Sequence, residues 1–304
     1  MGGVTSATQT QPVRFLKGHG TENDFVIVPD PDGVLDLSPA AVARLCDRRA
    51  GIGGDGILRV VRSAAHPEAR HMADEAEWFM DYRNADGSVA EMCGNGVRVF
   101  ARYLQRAGHA RVGECAVATR GGVKRVHIAK AGTGSPEGDV TVSMGRARTP
   151  DDEVTVAVGG RSWPARHVNM GNPHAVAFVE DLAHAGDLLT EPSYGPASVY
   201  PDGVNVEFVV DRGERHVAMR VHERGSGETR SCGTGACAVA VAAARRDGTD
   251  PAATGTPVSY TVDLPGGRLV ITEHPDGAID MTGAAVIVAE GTVEPALLAG
   301  TAAG

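Results

Sequence analysis

Residues 84–96 read Asn84-Ala85-Asp86-Gly87-Ser88-Val89-Ala90-Glu91-Met92-Cys93-Gly94-Asn95-Gly96. A thiol stands directly before a Gly-x-Gly turn. Beyond the turn, Val97, Phe100, Ala101 and Leu104 fall at i, i+3, i+4 and i+7, which predicts a helix with one apolar face, closed by Gly108. The pattern returns 139 residues later as Glu223-Arg224-Gly225-Ser226-Gly227-Glu228-Thr229-Arg230-Ser231-Cys232-Gly233-Thr234-Gly235. Ala236, Val239, Ala240 and Ala243 repeat the helical spacing. A polar residue precedes each thiol by nine positions, Asn84 in one copy and Glu223 in the other. One Cys-Gly-x-Gly is a weak signal; two in matched contexts read as an internally duplicated chain with one thiol per half.

Elementary physics gives that arrangement a chemistry. A helix N-terminus leaves backbone N–H groups without intrahelical partners and carries partial positive charge, so it stabilises an anion. A cysteine placed there is expected to have its pKa lowered toward neutrality. The glycines let backbone approach a ligand closely. Each half therefore offers a reactive thiol beside a carboxylate-sized cradle. Two thiols flanking one carbon suit inversion of a stereocentre, one as thiolate removing the Cα proton and the other as thiol returning a proton to the opposite face. The usual fate of an unpaired cysteine is to be a small buried hydrophobe, and that reading is adopted for Cys46, Cys115 and Cys237. It is rejected for Cys93 and Cys232, because polar, Gly-rich turns are poor places to bury an apolar residue.

The chain has 304 residues, enough for about two domains, and its 42% hydrophobic content allows a sizeable core. A formal net charge of -9 argues against a nucleic-acid partner. There is no secretory apolar region and no spanning apolar run, which argues against a membrane location. Five cysteines without a paired pattern fit a reducing cytoplasm. Lys17, Lys124 and Lys130 are the only lysines, and none stands in a motif that reads as a Schiff-base site for pyridoxal phosphate.

Taken in order, residues 1–12 read as a small, polar, disordered tail; Met1-Gly2 with Ser6 formally matches an N-myristoylation signal, read as a chance match. Strands are expected at 13–16 and 25–28. Ser38-Pro39 predicts a helix start, the helix running to about Arg49. Gly51-Ile52-Gly53-Gly54-Asp55-Gly56 matches G-x-G-x-x-G, but a helix precedes it and a strand-like run follows, the reverse of a dinucleotide site, so it reads as a loop. His66 and His71 lack matched cysteines or carboxylates and read as loop surface rather than metal ligands. Strands follow at 77–82, 116–119, 123–128 and 140–144, with a linker at 149–152. Further strands are expected at 154–158, 166–169, 175–179, 204–210 and 216–222, a short helix at 182–189, and strands at 258–264, 268–271, 278–281 and 285–288. The helix after Cys232 is apolar nearly all round, so it should be buried on every side. Residues 295–304 read as frayed.

The two thiol blocks are similar to those of the diaminopimelate epimerase family. Other blocks agree and run in the family's order over about residues 12–290: Lys17-Gly18-His19-Gly20-Thr21-Glu22-Asn23-Asp24-Phe25, Gly171-Asn172-Pro173-His174, Gly203-Val204-Asn205-Val206 and Met281-Thr282-Gly283. The resemblance implies an epimerase of LL- and meso-diaminopimelate, on the route to lysine and peptidoglycan, with no cofactor and no metal, cytoplasmic and homodimeric. It supports Cys93 and Cys232 as the acid/base pair and puts His174 beside a catalytic thiol. Gly94, Asn95, Gly233 and Thr234 would bind the reacting carboxylate and Glu223 the reacting ammonium. Arg224 would hold the distal carboxylate in a bidentate pair, helped by Asn84, Asn172 and Asn205, and Asn23 would also contact substrate. Many members carry a polar, substrate-contacting side chain where this chain has Gly56, so any contact there must come from backbone or water.

Many strands and few helices give an α+β fold. The expectation is two similar domains, 1–149 and 150–278, each a mainly antiparallel sheet wrapped around its thiol helix, with the active site in the interdomain cleft; by the resemblance, 279–304 returns to the first domain. Three rival readings are weighed. A proline-racemase-like enzyme would want an apolar pocket rather than an arginine and three asparagines. A cysteine acyl-transfer enzyme with His174 as base leaves the second thiol unexplained. A thiol redox or metal-binding module lacks a C-x-x-C.

Overall fold

In the computed structural model, residues 12–298 are described. The N-terminal tail with its acylation match, and residues 299–304, lie outside them. The chain begins with strands β1 (Val13–Gly20) and β2 (Asn23–Pro29). Thr21 and Glu22 between them adopt φ of 51° and 62°, the left-handed pair that a tight two-residue hairpin demands. Helix α1 (Pro39–Cys46) starts as expected, with the Ser38 hydroxyl accepting from the Ala41 N–H and proline at its first position. It ends three residues before the expected Arg49, because Asp47 leaves the helical region and its carboxylate accepts from the Arg49 and Ala50 N–H groups. The Gly51–Gly56 segment is a loop between α1 and β3 (Gly56–Arg62), which pairs parallel to β2. Strand β4 (Trp78–Asn84) pairs antiparallel to β3 and delivers the chain into the Cys93 block. There follow α2 (Gly94–Arg106), β5 (Gly113–Thr119) and β6 (Gly122–Ile128).

Strands β7 (Val140–Arg146), β8 (Glu153–Val158), β9 (Arg161–Asn169), β10 (Pro173–Phe178) and β11 (Ser193–Gly195) come next. Then come β12 (Asn205–Gly213), β13 (His216–Glu223), β14 (Gly227–Glu228) and α3 (Gly233–Arg246). A short α4 (Pro251–Thr254) precedes β15 (Val258–Leu264), β16 (Gly267–Glu273), β17 (Ala278–Gly283), β18 (Val286–Val293) and α5 (Pro295–Leu298). The expected helix at 182–189 is a single 3-10 turn over Leu182–Ala185, ended by Gly186 and by Leu188 at φ 51°. The expected fraying is absent from 295–298: α5 packs on α1, and Arg44 Nε donates to the Leu297 carbonyl at 3.0 Å.

Contacts divide the chain into two compact units. The first holds the described residues up to Gly20, Asp24–Ile128 and those from Ala285 onward; the second holds Thr21–Asn23 and Ala129–Ala284. The expected boundaries at 149/150 and 278/279 differ from this division, and strand pairing is the reason. β7 pairs antiparallel to β17, with Met281 opposite Val142, which draws β7 into the second unit. β18 pairs antiparallel to β1, which draws the chain from Ala285 onward into the first.

Each unit is a mainly antiparallel sheet on a central helix. In the first, α2 packs against β1, β3–β6 and β18; in the second, α3 packs against β9, β10, β12, β13 and β15–β17. Helix α3 is buried from Ala236 to Ala244, as its composition predicts. Helix α2 is buried from Gly94 to Leu104, so it has no solvent face there although its sequence pattern predicts one. Arg98 and Arg102 occupy that expected polar side, at 0% and 4% exposure. Each finds partners inside the unit, Arg98 Nη2 in the Asn95 side chain and Arg102 in the Ala285 carbonyl and Gln105. Among the described residues no helix is long and apolar enough to cross a membrane.

Candidate active site

Both Cys-Gly-x-Gly segments fold the same way, and differently from a turn followed by a helix. The glycines are the helix's own first turn and the cysteine is its N-cap. Cys93 is extended at φ -137°, ψ 119°, and Cys232 at φ -112°, ψ 110°. Each sulfur accepts from the N–H three residues on, Gly96 at 3.5 Å and Gly235 at 3.3 Å. That is the place a serine or aspartate N-cap oxygen takes; here a thiol takes it. The first turn of a helix is where the sequence reading places an anion cradle.

In the first unit, Cys93 is half-buried and Asn95 is almost fully buried. The Asn95 carboxamide oxygen accepts from Arg98 Nη2 at 2.6 Å, one helical turn deeper. Asn84 closes β4: its Nδ2 donates to Ser88 Oγ at 2.9 Å and its backbone N–H to the Ser88 carbonyl. It stands opposite Gly56 across the β3–β4 ladder. A Cβ at Gly56 would lie 2.4 Å from the Arg83 carbonyl oxygen and 2.8 Å from Tyr82 Cε2. The space a side chain would need at position 56 is thus taken by β4 itself.

In the second unit, β10 and β12 run parallel with His174 opposite Asn205. Alternation then puts Asn205 and Glu207 on one face. His174 and Glu207 are both 0% exposed, and His174 Nδ1 lies 2.6 Å from Glu207 Oε1. His174 Nε2 lies 3.1 Å from Asn172 Oδ1. Asn172 Nδ2 in turn donates to Thr234 Oγ1 at 3.3 Å, and Thr234 Oγ1 lies 3.6 Å from Cys232 Sγ. Asn205 ties β12 to β10 and to the turn after β13: its Nδ2 donates to the Pro173 carbonyl and its Oδ1 accepts from the Arg224 N–H, both at 3.0 Å. Glu223, at the end of β13, accepts from the Thr229 hydroxyl. Arg224 is exposed; its Nη1 donates to the Asp202 carbonyl at 2.9 Å. It lines a cavity of about 610 Å³ with Glu191, Tyr194, His222 and Ser226. Asn23 opens β2, half-buried, directly after the Thr21-Glu22 hairpin pair.

The electrostatics of Cys232 run against the sequence expectation. Its thiol is 5% exposed, and its pKa is raised well above the ordinary thiol value. Burial is the largest cause, followed by the carboxylates of Glu223 and Glu207. The Thr234 hydroxyl and the Gly235 N–H pull the other way and lose. Glu207 itself is raised by burial, opposed by His174. Cys46, as expected, is buried, with its thiol pushed up to about 11, and Cys237 is buried too. Cys115 is only half-buried on β5, although burial also pushes it up to about 11.

The structure therefore brings Cys232, Thr234, Asn172 and His174 into one hydrogen-bonded chain, and joins Asn205 to Arg224 through the backbone. Cys93 and Asn95 share the other helix start. Two charged residues escaped the sequence reading, Arg98 and Glu207. Glu207 left a signal: in Val204-Asn205-Val206-Glu207-Phe208-Val209-Val210 it is the only charge in a buried strand, two residues from a site asparagine.

Comparison with known proteins places this geometry. A family profile described as diaminopimelate epimerase matches residues 15–150 and 166–288. The chain is 77% identical to the diaminopimelate epimerase of Streptomyces coelicolor, over 96% of this chain and 99% of that one. It is 48% identical to that of Thermobifida fusca, over 92% and 98%. Among solved structures, a phenazine biosynthesis protein from Bacillus anthracis has a TM-score of 0.69 at 16% identity, covering 93% of this chain and 99% of its own. A hydroxyproline epimerase from Agrobacterium vitis has a TM-score of 0.66 at 14% identity, covering 97% and 96%. At such identities these two speak for the fold alone.

Proposed function

This chain belongs to the diaminopimelate epimerase family of isomerases, and from that membership we propose that it interconverts LL- and meso-diaminopimelate by acid/base chemistry divided between Cys93 and Cys232. One observation carries the reading beyond the family name: each thiol is the N-cap of an equivalent buried helix, with its sulfur beside N–H groups able to hold an α-carboxylate. In the forward direction one cysteine, as thiolate, takes the Cα proton and becomes a thiol. The other, as thiol, gives its proton to the opposite face of the carbon and becomes a thiolate. The stereocentre inverts, and the two cysteines exchange protonation states.

Gly94-Asn95 and Gly233-Thr234 would hold the reacting carboxylate. Glu223 would take the reacting ammonium, and His174 would support a thiol. Arg224, with Asn84, Asn172, Asn205 and Asn23, would bind the far amino-acid group. The cavity beside Arg224 supports this, since a substrate with amino-acid groups at both ends needs a second polar pocket. The reaction serves lysine and peptidoglycan precursor synthesis in the cytoplasm, and the working form is a homodimer. A proline-racemase-like activity fits less well, because a proline ring wants an apolar pocket and Arg224 and the asparagines are polar.

Incubation of the purified enzyme with LL-diaminopimelate in deuterated water, followed by chiral separation, tests the reading. The expected result is meso product in the presence of a chelator and a carbonyl reagent. No turnover, or a strict need for pyridoxal phosphate or a metal, overturns it.

A further inference from the structure

The second unit holds a fully buried carboxyl group that the proposed reaction does not use. Glu207 is 0% exposed, contacts His174 Nδ1 at 2.6 Å and leaves its second oxygen, Oε2, without a hydrogen-bond partner. Burying a carboxyl group so costs free energy unless its surroundings use it. It also crowds the catalytic helix: a Cβ on Gly235 would come within 2.8 Å of Glu207 Oε1 and 3.2 Å of Cys232 Sγ.

The hydrogen-bond directions follow from counting donors. Asn172 Nδ2 donates to Thr234, so its Oδ1 faces His174 as an acceptor. His174 Nε2 must then carry a proton. Nδ1 faces a carboxyl oxygen, so that bond holds a proton as well, whichever of the two atoms owns it. Thr234 Oγ1 receives from Asn172 and is left to donate its own proton to the Cys232 sulfur. Glu207 thus stands at the closed end of a chain that finishes on the thiol.

We infer that Glu207 is a positioning residue: its carboxyl holds the Nδ1 edge of His174, fixes Nε2 as the donor, and through Asn172 and Thr234 points a hydroxyl donor at Cys232. The inference rests on the reading of Cys232 as one of the two bases. A donor aimed at the sulfur stabilises the thiolate each time Cys232 gives up its proton. It counters burial and the two carboxylates that raise this thiol, Glu223 from the end of β13 and Glu207 from β12.

Two variants and two readouts test this. Glu207→Leu keeps much of the volume and removes the hydrogen bond. It is expected to lower kcat for diaminopimelate by about 10-fold or more, the scale of one lost buried hydrogen bond, with KM within about 3-fold because no substrate contact is removed. Glu207→Gln can donate to Nδ1 and keep Nε2–H toward Asn172, so it should recover part of the loss. A residue needed only to fill space would tolerate leucine and gain nothing from glutamine. Independently of turnover, ¹⁵N NMR of labelled histidine at neutral pH should show His174 with Nε2 protonated and Nδ1 hydrogen-bonded in the wild type. In Glu207→Gln Nε2–H should be kept, and in Glu207→Leu, where Nδ1 loses its partner, the Nδ1 signal should change. Wild-type kcat in Glu207→Leu, or a His174 without Nε2–H in the wild type or in Glu207→Gln, overturns the inference. If the wild type fails to turn over diaminopimelate but the spectra change as stated, the hydrogen-bond chain stands and only the substrate is wrong. If Glu207→Leu does not fold, the spectra of Glu207→Gln decide alone.

Discussion

Cys232 shows how local rules compete at one residue. Its helix N-terminus favours a thiolate, while its burial and two carboxylates favour a thiol, and the second set wins. A raised pKa means that thiolate forms only above the ordinary cysteine range, so ligand-free Cys232 is a poor nucleophile at neutral pH. On the proposed assignment of Glu223, the proton stays on Cys232 until the α-ammonium of the substrate offsets that carboxylate. Alkylation with iodoacetamide, mapped by mass spectrometry, reads this directly. Cys232 should react more slowly at pH 8 than an unstructured cysteine peptide. Glu223→Gln removes a negative charge, lowers the thiol pKa and should move the alkylation curve to lower pH. An unmoved curve, or one moved upward, would show that Glu223 does not act on this thiol.

At the scale of the element, the two thiol helices share a start but not its surroundings. A Cβ on Gly96 would meet flexible or ordinary contacts, Leu58 Cδ2 at 3.3 Å and Cys93 Cβ at 3.4 Å. On Gly235 it would press the buried, hydrogen-bonded Glu207 carboxyl at 2.8 Å. Alanine helps a helix by up to about 1 kcal/mol over glycine, whereas overpacking costs about 1–3 kcal/mol. Gly235→Ala should therefore lower kcat by about 10-fold or more, and Gly96→Ala should lose distinctly less. Steady-state kinetics of both variants decide, and equal losses would refute the packing argument.

The same helices show what the sequence made legible. The thiols, their helices and the all-round burial of α3 follow from spacing and composition, because Ala and Val leave α3 no polar side to expose. The burial of α2 does not follow: Arg98 and Arg102 look like a solvent face until a partner is found inside the unit, and periodicity cannot see partners. The unit boundaries depend on which strands pair, and β7 with β17 is a pairing 132 or more residues apart. Glu207 was visible as a lone charge in a buried strand, but its meaning needed the register that puts it beside His174.

At the scale of the whole molecule, the duplication gives two thiol helices in unlike settings, a guanidinium buried one turn beneath Asn95 and a carboxyl group packed against the first turn after Cys232. Two copies of one device, differently tuned, are what a reaction with two distinct proton positions asks for. A single base that swung from face to face would return the substrate's own proton to the product. With two bases the incoming proton comes from a thiol already equilibrated with solvent. In deuterated water, meso product formed early from LL-diaminopimelate should therefore carry deuterium at the inverted carbon, while unreacted substrate stays mostly protonated. Cys93→Ala and Cys232→Ala should each abolish inversion, since each removes an obligatory proton carrier. The thiol left in each variant can still exchange the α-proton of the one stereoisomer whose hydrogen faces it, so proton NMR of each isomer with each variant assigns one face to Cys93 and the other to Cys232. If either alanine variant keeps near-native epimerisation, one thiol suffices and the second helix start has only a structural purpose.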